Sequence, residues 1–218
     1  MLQFLFFLVF VRPLVLWLIG VSVLNRVRLP RKGPVILVAN HNSHLDALAI
    51  MTLFPLSCLH RLRPVAAADY FLSNPLLRWF STKVIRIIPL ARDQARSRRR
   101  GEDPFADCSR ALVNNRILII FPEGSRGEPE RMANFRNGIT RLLEKHPAVP
   151  AVPIFFRGMG KVLPRGAFLP VPFNVRASVG KAVFYQGDKR GFMSELRDEL
   201  ETLARDCPAP REAGPNGF

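Results

Sequence analysis

The residues best equipped for chemistry are His41 and Asp46, in the stretch Asn40-His41-Asn42-Ser43-His44-Leu45-Asp46. This stretch directly follows Val35-Ile36-Leu37-Val38-Ala39, a β-branched apolar run behind Gly33-Pro34 that reads as a buried strand. His41 then stands at the strand's carboxyl end, where open α/β sheets form their ligand crevices. Asp46 comes five residues later, as an apolar helical run begins. The carboxylate can accept from one ring nitrogen, set the tautomer and leave the other nitrogen as a base. A plainer reading stands beside this one. Asp46 and Ser43 are both helix-capping types, and His41 suits a turn histidine.

A second group follows the run Ile117-Leu118-Ile119-Ile120-Phe121, which reads as the central strand and ends abruptly at Pro122-Glu123-Gly124-Ser125-Arg126. Arg92 lies just past a third expected strand, Val84–Leu90. Arg92 and Arg126 suit a phosphate or carboxylate through forked hydrogen bonds. Their alternative is surface ion pairing. Glu123 can orient a hydroxyl or hold an arginine, and Gly124 lets the backbone turn sharply against a ligand. Ser43 is a poor nucleophile candidate, because the chain has no G-x-S-x-G elbow. His41, His44 and Asp46 lack a further ligand cluster, so no metal is expected. The economical reaction is direct transfer. His41 removes the proton of an acceptor hydroxyl, which attacks an activated acyl carbonyl. Backbone N–H groups or a basic side chain hold the oxyanion.

Composition bounds these readings. The chain has 218 residues, 48% of them hydrophobic, with a net charge of +15. That suits one domain with an anchor, and a polyanion or anionic surface as neighbour. Cys58, Cys108 and Cys207 are odd in number and widely spaced, which argues against a disulfide framework. Few aromatics interleave the Arg96–Arg100 run, so nucleic acid is not the expected partner. The run suits phosphate headgroups or a solvated face.

Strands alternate with helices, which predicts an α/β fold with a largely parallel central sheet flanked by helices. Further strands are expected near Pro64–Ala68, Val149–Phe155 (an edge strand or one of irregular geometry, given its prolines), Phe173–Val179 and Ala182–Tyr185. Helices are expected near 46–54, 75–81, 103–115, 139–145 and 192–205. Residues 2–24 are almost wholly apolar, long enough to cross a bilayer, and interrupted by Arg12-Pro13. Either a kinked span or a hairpin in one leaflet fits, the latter letting Arg12 snorkel to headgroups, and a buried core helix is the plainer alternative. The expected organisation is a membrane-anchoring apolar helix or kinked hairpin over 1–29, an α/β domain over 30–207 and a disordered tail over 208–218. Arg26, Arg28, Arg31 and Lys32 place the domain on the cytoplasmic face of the membrane.

These residues resemble the glycerolipid and lysophospholipid acyltransferases typified by 1-acyl-glycerol-3-phosphate acyltransferase. Asn40 to Asp46 matches the family's N-H-x-S-x-x-D block, and Phe121 to Arg126 matches F-P-E-G-[ST]-R. Val152-Pro153-Ile154 looks like a further block, and Phe135-Arg136-Asn137-Gly138 looks like F-K-x-G with arginine for lysine. The second block is weaker. Arg92 matches its arginine, while Arg86 stands where glycine is common. The resemblance covers about residues 33 to 185. It implies His41 as base and Asp46 as its orienting partner. It implies that Asn40, Ser43, Arg92, Glu123, Gly124, Ser125, Arg126 and Arg136 line the acceptor site. It implies an acyl thioester co-substrate, carried by coenzyme A (acyl-CoA) or acyl carrier protein (acyl-ACP), a lysophospholipid acceptor, a membrane-lipid neighbour and no other cofactor. The departure at Arg86 leaves a lyso-aminolipid or another lysophospholipid open as acceptor. A non-enzymatic binder of anionic lipid is the competing class.

Overall fold

The computed structural model describes residues 1–43, 45–71, 73–91, 101–124, 134–162 and 173–208. Among them a seven-stranded sheet runs in the order β1-β7-β6-β2-β5-β3-β4. The strands are β1 Ser22–Leu24, β2 Val35–Ala39, β3 Leu62–Ala67, β4 Ile88–Leu90, β5 Ile117–Ile120, β6 Ala151–Arg157 and β7 Arg176–Val179. Every neighbouring pair is parallel except β6 with β7. This is the expected largely parallel α/β architecture.

β2 is buried at all five positions because both its faces are covered. Val35, Leu37 and Ala39 join one core with Ala49 and Ile50 of the Asp46–Thr52 helix and with the N-terminal helical segments. Ile36 and Val38 face a second core, closed by Cys108 and Leu112, Leu142 and Leu143, and Leu196 and Leu200. Those residues belong to the helices Ala106–Val113, Gly138–Lys145 and Lys189–Asp206. Strand alternation thus divides the apolar side chains between two layers.

The N-terminal run is helical over Leu2–Phe6, Phe7–Val11 and Leu14–Ile19. Arg12 and Pro13 keep right-handed helical backbone angles between the segments. Gly20, at φ +54, ends the run. Phe7, Val11, Val15 and Ile19 recur every four residues and are buried against the domain. The wide turns of the last two segments keep that spacing on one side. Leu2, Phe4, Leu5, Leu8, Val9 and Phe10 remain exposed. Among the described residues no helix is long and apolar enough to cross a membrane.

Several expectations are corrected here. Within residues 1–29 the helical stripe joins the core, and Ser22–Leu24 is a strand at the sheet's edge. Arg12 does not reach outward, since its Nη2 donates to the Phe54 carbonyl at 2.9 Å. β6 lies inside the sheet, not at its edge. Its Pro153 is tolerated because the carbonyl, and hence the missing N–H, faces the β7 side just beyond the last ladder pair, Ile154–Val179. Gly180 makes room there, since a Cβ on it would lie 2.6 Å from Pro153 Cγ. The expected strand over Val84–Leu90 forms only from Ile88. Asn74 caps the Pro75–Trp79 helix by accepting from the Leu76 and Leu77 amides, and helical turns continue to Ile85. The expected strand near 182–185 is a single bridge, Ala151–Val183. Of the tail, residues 209–218 lie outside the described residues.

Candidate active site

β2 ends at Ala39, and the chain turns through Asn40 to Leu45 into the Asp46–Thr52 helix. Asp46 is fully buried in the helix's first turn. Its Oδ2 accepts three hydrogen bonds: from His41 Nδ1 at 2.9 Å, from the Asn42 amide at 2.7 Å and from the Ser43 amide at 2.8 Å. The two amides fix the carboxylate, and the carboxylate fixes the ring. An ionised carboxylate only accepts, so the proton sits on Nδ1 and Nε2 carries the lone pair. The pairing also answers the capping alternative. Asp46 holds the turn and the imidazole with one oxygen.

The imidazole is confined on its face as well. It stacks on Phe121, with ring centroids 4.2 Å apart and planes 22° off parallel. The His41 side chain is 21% exposed, so the ring is only partly enclosed.

β2 and β5 are adjacent and parallel, so the turns after them meet at one rim. Glu123 Oε1 accepts the His41 backbone N–H at 3.1 Å, and Glu123 itself is 3% exposed. Gly124 follows at φ +70, a backbone shape that glycine adopts without cost. Arg136 lies over it: a Cβ on Gly124 would stand 2.6 Å from Arg136 Nε. The Arg136 amide also donates to the Pro122 carbonyl at 2.8 Å. An exposed guanidinium is thereby tied to the turn that holds Glu123.

Two expected acceptor-site residues have structural work instead. Asn40 is buried, and its side chain bonds both backbone groups of Phe156, donating to the carbonyl at 2.9 Å and accepting from the amide at 2.8 Å. It joins the end of β2 to β6. Ser43 is 1% exposed and its Oγ accepts from the Leu45 amide at 3.3 Å. Arg92, Ser125 and Arg126 lie outside the described residues, as do His44 and the Arg96–Arg100 run. The sequence reading gave no role to Phe121. Its place beside the Pro122-Glu123 turn was visible, but stacking on His41 depends on the β2–β5 register.

Residues 20–157 match the acyltransferase family, described simply as "Acyltransferase". The chain belongs to that family. The acyltransferase-family chain is 30% identical to a chloroplastic 1-acyl-sn-glycerol-3-phosphate acyltransferase of Brassica napus over 134 residues, 62% of this chain and 36% of that protein. It is 27% identical over 172 residues to a 1-acyl-sn-glycerol-3-phosphate acyltransferase of Limnanthes douglasii, covering 75% of this chain and 56% of the other. The chain thus spans between about a third and somewhat over half of these relatives' lengths. In fold it matches the crystal structure of the 1-acyl-sn-glycerophosphate acyltransferase from Thermotoga maritima with a TM-score of 0.71. Identity there is 20%, and the match covers 90% of this chain and 76% of the other.

The preference for glycine at position 86 has a backbone explanation. Arg86 takes φ +64, where glycine is the natural occupant. The turn a glycine would make is kept with an arginine in it.

Proposed function

We propose that this chain moves a fatty acyl group from an acyl thioester to the free hydroxyl of a lysophospholipid, with 1-acyl-glycerol-3-phosphate the favoured acceptor. The observation that carries the reading is the His41–Asp46 pair, held at 2.9 Å on the rim where the Glu123-Gly124 turn and Arg136 also lie. His41 Nε2 takes the hydroxyl proton as the oxygen attacks the thioester carbonyl carbon. The tetrahedral intermediate collapses, the carbon–sulfur bond breaks, and the departing thiolate takes the proton back from the imidazolium. Asp46 keeps the ring oriented and balances its transient charge. Arg136 meets the acceptor phosphate, with Arg92 and Arg126 assigned the same role from the family motifs. The names of the relatives favour a phosphate-bearing acceptor.

The exposed apolar side of the N-terminal helical segments rests on the membrane that supplies the lysolipid. Phe10 is 64% exposed and Val9 55%, side by side with Leu2, Phe4, Leu5 and Leu8. Arg26, Arg28, Arg31 and Lys32 hold the domain on the cytoplasmic face. Coenzyme A or acyl carrier protein delivers the acyl group.

The test is acylation of 1-acyl-glycerol-3-phosphate by purified protein in detergent, followed as thiol release from each donor. Wild-type turnover with a loss on the order of 10²–10⁴-fold in His41→Ala supports the reading. Undiminished turnover in that variant overturns it.

A further inference from the structure

The rim opposite His41, at the amino ends of β2, β3 and β5, gathers positive charge. The β3–β5 ladder begins with Leu62 against Ile117, so Arg61 and Arg116 stand level just before it. Arg86 stands two residues before β4, the neighbour of β3, and its charge acts on Arg63. Arg63 Nη1 donates to the His60 carbonyl at 2.9 Å, and Arg116 Nη1 reaches the same oxygen at 3.5 Å. Two guanidinium groups therefore converge on one carbonyl. Arg61 Nη1 donates to the Arg31 carbonyl at 3.4 Å, bringing a third arginine against the loop before β2.

None of these four arginines is fully exposed, and among the described residues no carboxylate pairs with any of them. Buried or half-buried charges are normally paired, and like charges placed level on adjacent strands repel. Arg63 registers the crowding. Burial, then Arg116, then Arg86 lower its pKa to about 10. Arg86 adds a second cost, because an L-residue at φ +64 is strained where glycine is not. Repulsion among like charges is relieved by an anion seated among them.

We propose that Arg61, Arg63, Arg86 and Arg116 form a binding site for a phosphate group, on the rim remote from His41. Guanidinium forks match phosphate oxygens, and each half-buried group gains more from such a partner than a solvated one does. The phosphate comes from a phospholipid headgroup or from a free phosphate ion. The site lies five to seven residues down the sheet from His41, about 16–23 Å at strand spacing, so it is distinct from the acceptor site.

The experiment uses the full chain as wild type, Arg61→Gln/Arg116→Gln, Arg61→Lys/Arg116→Lys and Arg86→Gly. One arm measures melting temperature in inorganic phosphate against chloride at matched ionic strength. The other measures sedimentation with vesicles of phosphatidylcholine alone or mixed with phosphatidylglycerol. A phosphate-dependent rise in the wild type and the lysine variant, lost in the glutamine variant, supports the site with free phosphate as its ligand. Preference for the phosphatidylglycerol vesicles, falling on the order of tenfold in the glutamine variant, supports it with lipid as the source. Arg86→Gly relaxes the backbone and so tests the site even where the glutamine pair fails to fold. It weakens the same response while raising melting temperature. Phosphate and vesicle responses that are absent from the wild type, or unchanged in both the glutamine variant and Arg86→Gly, overturn the proposal. Binding to phosphatidylcholine vesicles alone reports on the apolar N-terminal surface, and thioester turnover on His41, so failure of either leaves its own distinct signature.

Discussion

Arg136 lies where a side chain on Gly124 would have to go: a Cβ there would stand 2.6 Å from Nε and 2.7 Å from Cδ of the arginine. The glycine therefore does two things at once. It takes φ +70 without strain, and it leaves the space that the guanidinium arm crosses. Gly124→Ala is expected to cost about 1–2 kcal/mol of stability from the backbone alone. It also displaces Arg136. Losing one charge-assisted contact to phosphate raises the acceptor KM by roughly tenfold, with a smaller change in kcat. Thermal unfolding and initial rates at varied acceptor concentration check both.

Asp46→Asn separates charge from shape. The amide has nearly the same volume, but its oxygen is a weaker acceptor for the three donors now shared by Oδ2. Its NH₂ group cannot replace that oxygen without facing a donor. A fall in kcat on the order of 10²-fold is expected, together with about 1–3 kcal/mol of lost stability. Circular dichroism on the same preparations distinguishes a misoriented His41 from an unfolded chain.

The two sides of the N-terminal helical run call for opposite outcomes. Phe7 is fully buried, so Phe7→Ala is expected to destabilise the protein by about 3–5 kcal/mol. Phe10 is 64% exposed, so Phe10→Asp should leave the melting temperature within a degree or two of wild type. Phe10→Asp should nevertheless weaken sedimentation with phosphatidylcholine vesicles. Unchanged vesicle binding there would remove the membrane-resting role of that face.

Cys108 gives the chain an alkaline dependence. The thiol is fully buried, and burial, helped by Asp107 and Asp103, pushes its pKa from 9.0 up to about 12. The folded form then binds the proton more tightly than the unfolded form. That contribution to stability is present in full below pH 9 and is lost as pH rises toward about 12. Denaturant midpoints measured across that window should fall more steeply for wild type than for Cys108→Ala. Alkylation of Cys108 at neutral pH should require unfolding, whereas half-buried Cys58 should react sooner.

How legible the site was differs from residue to residue. The strand Val35–Ala39 has no competing period, and Asp46 opens a helix at a fixed distance from it, so His41 and Asp46 can be paired from local spacing alone. Asn40 and Ser43 carry the same motif signature, yet whether such polar groups meet a ligand or the backbone depends on what packs against them. Here β6 and the turn itself use them up. The run Val84–Leu90 misled because alternating apolar residues also suit a helical end, and the cap at Asn74 decides between the two. Pro153 suggested an edge, yet β6 is internal, because a strand's missing donor matters only on the side where a partner continues.

By itself the amino-acid sequence determined the class of the fold and the pairing of His41 with Asp46, because hydrophobic period and motif spacing act over a few residues. It also determined that the N-terminus is apolar. Only the tertiary structure decided which side of that apolar run is core and which faces outward, since both sides carry the same kinds of residue and packing alone distinguishes them. Only the tertiary structure brought Phe121 onto the His41 ring, Arg136 over Gly124, and Arg61, Arg63, Arg86 and Arg116 together at the far rim. Those contacts join residues far apart in the chain, and strand order and register, which no local spacing encodes, set the distances between them.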